Sequence, residues 1–221
     1  MPRGCRPSCY SGAEDLTRNP TRVMERGCVV GHLGTFDPAG AALIRRLEEA
    51  VSVPDTSSIC RSVKNVLQEK LNRPRDFVPQ ECLRADPARY ARRLLFKDPD
   101  GRFSVVVMVW APGQQTPLHD HAGHWCVECV YEGRIRVTSF DLEEERNGDA
   151  LFKVQTSVVS GMGEAGALIP PSEYHTIANP FDEKAVTLHV YRGEITWCHA
   201  FEPLAQAGWY RRQRRALPYT V

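Results

Sequence analysis

His119 and His121 stand one residue apart, and residues i and i+2 of an extended chain share a face, so both imidazoles can reach a single metal ion. The pair sits in a longer frame. Five residues separate Gly113 from His119, four separate His121 from Cys126, and six separate Cys126 from Gly133. An HxH pair alone is weak evidence of a metal site, because histidines also pair in cores and on surfaces; the whole frame is far more specific. A second set of reactive side chains lies in Val186-Thr187-Leu188-His189-Val190-Tyr191. Strand alternation puts Thr187, His189 and Tyr191 on one face, where hydroxyl, imidazole and phenol can form a relay. Cys126 and Cys129 form a Cys-x-x-Cys, but positions i and i+3 of a strand face opposite ways, so these two thiols should diverge rather than chelate.

The frame from Gly113 to Gly133 resembles the first signature motif of the cupin superfamily. The second motif is echoed by Pro170-Pro171-Ser172-Glu173-Tyr174-His175, with Asn179 four residues on. Ser172 stands where a glycine is usual, and the leading glycine is one place out of register. The resemblance implies a metal held by His119, His121 and His175. Cys126 occupies the position where the superfamily usually has a metal-binding glutamate. Three neutral imidazoles leave a divalent ion at full charge, which favours an anionic ligand such as a thiolate.

Around Cys126 the sequence resembles the cysteine dioxygenase family of thiol dioxygenases, through His119-Asp-His-Ala-Gly-His-Trp-Cys126 and the Ser-x-His-x-Tyr-like Thr187-Leu-His189-Val-Tyr191. Trp197-Cys198-His199-Ala200-Phe201 is similar to the family's downstream strand. The resemblance covers roughly residues 85 to 202 and implies an Fe(II) enzyme that adds both atoms of O2 to the sulfur of L-cysteine. It implies that Cys126 is joined by a thioether bond to Tyr191, as in the animal enzymes, and that Tyr191 with His189 acts near the oxygen; Cys126 as a plain buried hydrophobe is the rival reading. Tyr90-Ala-Arg92 matches the family's Tyr-x-Arg segment, whose arginine grips the substrate carboxylate. Bacterial relatives that prefer 3-mercaptopropionate carry Gln there, so Arg92 favours cysteine. Arg93 takes the role if the segment shifts by one residue, and Arg192 is a candidate second cation that would favour a dicarboxylate thiol such as mercaptosuccinate. A different metallocupin enzyme and a non-catalytic metal-binding cupin are the alternatives from other classes.

The elements that must position these residues read as helices followed by an all-β body. Residues 1–35 lack periodicity and read as a loose extension. Residues 41–51 and 58–71 carry apolar side chains at helical spacing. A short helix is expected from Asp86, with Pro87 in its first turn, carrying Tyr90 and Arg92 toward the next segment. Strands are expected at 103–110, 125–131, 134–140, 152–159, 167–169, 176–178, 186–191 and 195–201. The expected fold is mainly β, a single cupin domain over residues 36–221 with N-terminal helices. His124 and His199 read as structural or solvent-facing, and Trp110 and Trp125 as core or pocket wall.

The composition fits this picture. The chain has 221 residues, 42% hydrophobic and 25% charged, with a formal net charge of +1. That charge gives no reason to expect nucleic acid or an acidic membrane as partner, and no apolar run approaches the ~20 residues of a membrane span. The partners expected are a small thiol and O2, the location cytoplasmic, and the state a monomer or weak oligomer. Arg211, Arg212, Arg214 and Arg215 read as a solvated tail. The eight cysteines are scattered, and no disulfide framework is expected.

Overall fold

The computed structural model describes residues 36–71, 77–171 and 173–220; the expected extension at 1–35 lies outside them. Two helices open the described chain. Helix α1 (Pro38–Ala50) begins at Asp37, whose side chain accepts from the Gly40 amide at 2.6 Å, with Pro38 in the first turn, where a missing N–H costs nothing. Leu43, Ile44, Leu47 and Ala50 form its buried stripe; Cys60, Val63, Val66, Leu67 and Leu71 form that of α2 (Thr56–Leu71).

Both stripes pack on a five-stranded antiparallel sheet. Its order is β1 (Ala91–Lys97), β2 (Phe103–Trp110), β9 (Ala185–Arg192), β4 (Cys126–Glu132) and β7 (Ala165–Leu168). Strand β2 is buried along its whole length, as its unbroken apolar run requires. Val105, Val107 and Val109 of β2, with Val186, Leu188 and Val190 of β9, face the helices. Val106, Met108, Trp110 and Tyr191 face inward, with Cys126 of β4. Cys129 lies on the helix side, so the two thiols of the Cys-x-x-Cys do diverge.

The second sheet closes into a barrel in the order β10 (Trp197–Pro203), β11 (Trp209–Ala216), β6 (Asp149–Gly161), β5 (Arg134–Arg146), β8 (His175–Ala178) and β3 (Leu118–His119), with β3 pairing back onto β10. The hairpin β5–β6 is longer than its apolar pattern suggests, because Asn147 (φ 54°) and Gly148 (φ 84°) make a two-residue turn of the hand that hairpins favour. Gly133, at φ 73°, closes the turn into β5; a Cβ there would stand 2.6 Å from the Lys184 carbonyl oxygen. The architecture is a mainly β cupin with two N-terminal helices.

Three expectations need correction. No helix starts at Asp86. Its carboxylate accepts from the Ala88 amide at 2.9 Å in a tight turn, and residues from Ala91 enter β1, where pairing with β2 and burial of six of seven positions override helical propensity. The arginine cluster is no tail: Arg211 to Arg215 lie on β11, with Arg211 paired to Asp149 and Arg212 to Glu145. Finally, Cys60, Cys126, Cys129 and Cys198 are free thiols, but Cys82 is disulfide-bonded.

Candidate metal centre

Two strands and the loop that follows one of them bring the histidines together. His119 ends β3 and lies directly opposite His175, the first residue of β8, while His121 follows two residues on. Nε2 of His119 faces Nε2 of His175 at 3.2 Å, and one ligand nitrogen from each of the three imidazoles falls within 4.8 Å of the others. Nδ1 of His119 is 3.1 Å from the Pro117 carbonyl oxygen. A carbonyl only accepts, so that nitrogen carries the proton and Nε2 presents its lone pair to the centre. Burial drives the His119 imidazole down to about 3, reinforced by the neighbouring His121, and holds His175 well below its ordinary value. These rings are therefore neutral, as metal ligation requires. Buried nitrogens of His121 and His175 have no hydrogen-bond partner. Three convergent imidazoles fit a borderline divalent metal ion, and the set holds no carboxylate among the described residues.

Acidic residues hold the loop around this trio. Asp120 accepts from the amides of Ala122 (3.0 Å) and His199 (2.8 Å), and its other oxygen lies 2.7 Å from His199 Nδ1. His199 is thus structural. Glu173 accepts from the His121 amide at 3.2 Å and lies 3.6 Å from its Nδ1.

The inner face of β9 completes one wall. Trp110 Nε1 donates to Thr187 Oγ1 at 3.0 Å, and Thr187 Oγ1 lies 2.8 Å from His189 Nε2. Tyr191 Oη is 3.3 Å from His189 Nδ1, and Cys126 Sγ is 3.9 Å from the same nitrogen. Thr187 uses a lone pair for Trp110, so its own proton can go to Nε2, leaving Nδ1–H toward Tyr191. Burial keeps His189 neutral and pushes the Tyr191 phenol and Cys126 thiol well above their ordinary values. Cys126 and Tyr191 are register partners across β4 and β9, and both are buried.

The histidines open on a pocket that Tyr90, Arg92, Thr116, His189, Tyr191 and Arg215 also line. Tyr90 stacks on Trp110 with ring centroids 4.8 Å apart. Arg92 reaches the pocket from β1 rather than from a helix end; Nη1 donates to Leu217 O at 2.9 Å, Nη2 to Ile195 O at 2.8 Å, and the guanidinium lies 4.5 Å over the Tyr219 ring. These bonds use two of its five N–H groups. Arg93 points the other way, donating to the carbonyls of Cys82 and Arg84. Arg192 is exposed and does not line the pocket; the second cation there is Arg215 of β11. Sequence reasoning missed Arg215 because the arginine-rich run hides its alternation behind six exposed positions. It also missed Glu128, although a charged residue in the middle of the apolar run of β4 was a visible signal.

The model of the family described as Cysteine dioxygenase type I matches residues 68–203. The chain is 24% identical over 163 residues to cysteine dioxygenase type 1 of Rattus norvegicus, covering 73% of this chain and 78% of that protein. It is 25% identical over 118 residues to the Homo sapiens protein of the same name, covering 53% and 58% of the two chains. Among solved structures, a Klebsiella pneumoniae protein with a double-stranded β-helix domain shares 19% identity at a TM-score of 0.43, over 56% of this chain and 89% of that one. With a family match across more than half its length, the chain belongs to the cysteine dioxygenase type I family.

Proposed function

We propose that the protein is an Fe(II)-dependent thiol dioxygenase that converts L-cysteine to cysteine sulfinic acid. The observation that carries this reading is the convergence, on one pocket, of three imidazoles, the Arg92 guanidinium and the Thr187–His189–Tyr191 chain. Iron held by His119, His121 and His175 would supply thiolate activation and dioxygen chemistry. The remaining work falls to the chain's own groups. Arg92 binds the substrate carboxylate through its guanidinium, and its two carbonyl contacts hold the group in place. Tyr90 packs beside it against Trp110. Tyr191 Oη, oriented by neutral His189, offers a hydrogen bond where oxygen meets sulfur. We further propose that Cys126 and Tyr191 become joined by a thioether bond, and that the enzyme acts in the cytoplasm as a monomer or weak oligomer.

Arg215 favours a second reading. Among the described residues two guanidinium groups and no carboxylate line the pocket, a charge balance suited to a thiol with two carboxylates, such as mercaptosuccinate, or to 3-mercaptopropionate, which lacks the ammonium of cysteine. Substrate-dependent oxygen uptake by iron-loaded protein with all three thiols separates these readings. Highest kcat/KM with cysteine supports the first; highest kcat/KM with mercaptosuccinate, falling about tenfold in Arg215→Gln, supports the second.

A further inference from the structure

Glu128 has no part in the chemistry described so far, and its position is unusual. It lies on β4 two residues beyond Cys126, on the same inward face, where its neighbours Cys126 and Val130 are apolar. It is 5% exposed, and its Oε2 has no hydrogen-bond partner. A buried, unpaired carboxyl costs stability that an apolar side chain at this position would not. Its register partner on β9 is His189, whose Nδ1 stands 3.7 Å from Oε2. On β7 its partner is Gly166, where a Cβ would stand 3.9 Å from both Cγ and Oε1; the missing side chain leaves the carboxyl room to swing.

Glu128 also lines a second cavity, of about 220 Å³, with Ser139, Ser160, Glu164 and Gly166. None of the three metal-centre histidines lines it, nor does Arg92. His189 faces the first pocket and Glu128 faces the second, so the pair links the two spaces.

We propose that Glu128 carries the substrate thiol's proton out of the active pocket, from His189 on one side to the second cavity on the other; this rests on the thiol-oxidising reading above. The reaction R–SH + O2 → R–SO2⁻ + H⁺ places both oxygen atoms on sulfur, and dioxygen gains the electrons that sulfur loses. A proton is left over at each turnover, because a sulfinic acid is far more acidic than a thiol. With three imidazoles assigned to the metal, His189 is the other imidazole lining the pocket among the described residues. His189 gives its Nδ1 proton to Oε2 of ionised Glu128 and is reprotonated from Tyr191 Oη, which takes up the substrate proton in turn, and Oε1 releases a proton into the cavity. Burial pushes the Glu128 carboxyl up to about 8, so it holds a proton at neutral pH and ionises within reach of ordinary conditions. The titratable groups around it are His189 and Tyr191 from β9, Cys126 and Cys129 from its own strand, and Glu164 at the cavity wall.

Glu128→Gln keeps the volume but can neither take nor give up a proton. In iron-loaded protein the wild-type kcat should climb through about pH 8 as the carboxylate form, the better acceptor, becomes populated. Glu128→Gln should lose that climb and fall about tenfold in kcat at pH 7 with KM unchanged, and Glu128→Asp should restore part of the climb. Infrared spectra should show a protonated carboxyl C=O band at pH 7 that is absent from Glu128→Gln. A Gln variant with wild-type kcat and an unchanged pH profile, or wild-type protein without that band, overturns the relay while thiol oxidation stands. Failure of the wild-type enzyme to consume oxygen with any thiol overturns the thiol-oxidising reading, and the relay with it.

Discussion

Arg92 and Leu217 tie the two edges of the fold together: a guanidinium from the first strand donates to a backbone carbonyl 125 residues later in the chain, at 2.9 Å. The contact has company. Thr220 N donates to Arg92 O at 2.7 Å, Arg92 N donates to Thr220 Oγ1 at 3.0 Å, and the Tyr219 ring lies beneath the guanidinium. The segment after β11 therefore forms a wall of the candidate substrate pocket and sets the direction of its carboxylate-binding group.

Removing residues 217–221 should free the Arg92 side chain without touching the histidines. Hydrogen bonds to charged groups contribute ~1.5–3 kcal/mol, so the loss should raise KM for a carboxylate thiol about tenfold or more, with a smaller effect on kcat. Steady-state oxygen uptake reads this directly. Unchanged KM in a folded truncated protein would remove Arg92 from substrate binding.

His175→Ala should abolish metal retention. His175 is buried and faces His119 across a single strand pairing, and with His119 and His121 it makes up the histidine trio of the described residues. Elemental analysis of purified protein should show metal content dropping below roughly a tenth of wild type. Chelation should lower the melting temperature of wild type and leave that of the variant unmoved, because only the wild type gains folding stability from a bound ion.

Much of this was legible in the sequence for a simple physical reason. Strand alternation is rigid, so residues such as His119 and His121, or Thr187, His189 and Tyr191, declare a shared face by spacing alone. The buried strands β2 and β9 announce themselves as apolar runs. Legibility failed where tertiary pairing outweighed local preference. A helix from Asp86 is expected to carry Tyr90 and Arg92, yet pairing with β2 makes residues from Ala91 a strand. The arginines of β11 read as a tail because their partners, Asp149 and Glu145, lie on the distant β5–β6 hairpin. Arg192 sits next to Tyr191 in sequence but points away from the pocket, while Arg215 reaches it from another strand; no local pattern distinguishes the two.

The Cys126–Tyr191 pairing carries its own prediction. Register partners on adjacent antiparallel strands bring the side chains to contact distance, and both are sealed from solvent. Turnover with thiol and oxygen should produce a species lighter by two hydrogens in denaturing mass spectrometry, and Cys126→Ser should not form it. Active enzyme that keeps its full mass throughout would show that the bond plays no part.

Glu128 should weaken the fold as the pH rises. Its folded value of about 8 lies above the ordinary 4.5, so ionisation adds no penalty below about pH 4.5, and stability is lost as pH climbs toward 8. Glu128→Gln removes that loss. At pH 8 the variant should be more stable than wild type by on the order of 3 kcal/mol, raising the melting temperature by about 5–10 °C, with the difference vanishing near pH 5. A variant less stable than wild type at pH 8 would mean the carboxyl is ionised and satisfied.

The central claim is that the three-histidine pocket puts both atoms of dioxygen on the sulfur of a small thiol acid. Turnover of iron-loaded protein under ¹⁸O2, followed by mass spectrometry of the product, tests it most directly. A sulfinate carrying two ¹⁸O atoms, formed in step with oxygen consumed and absent from His175→Ala, is the predicted result. Disulfide as the sole product, or a sulfinate whose oxygen comes from water, would contradict it.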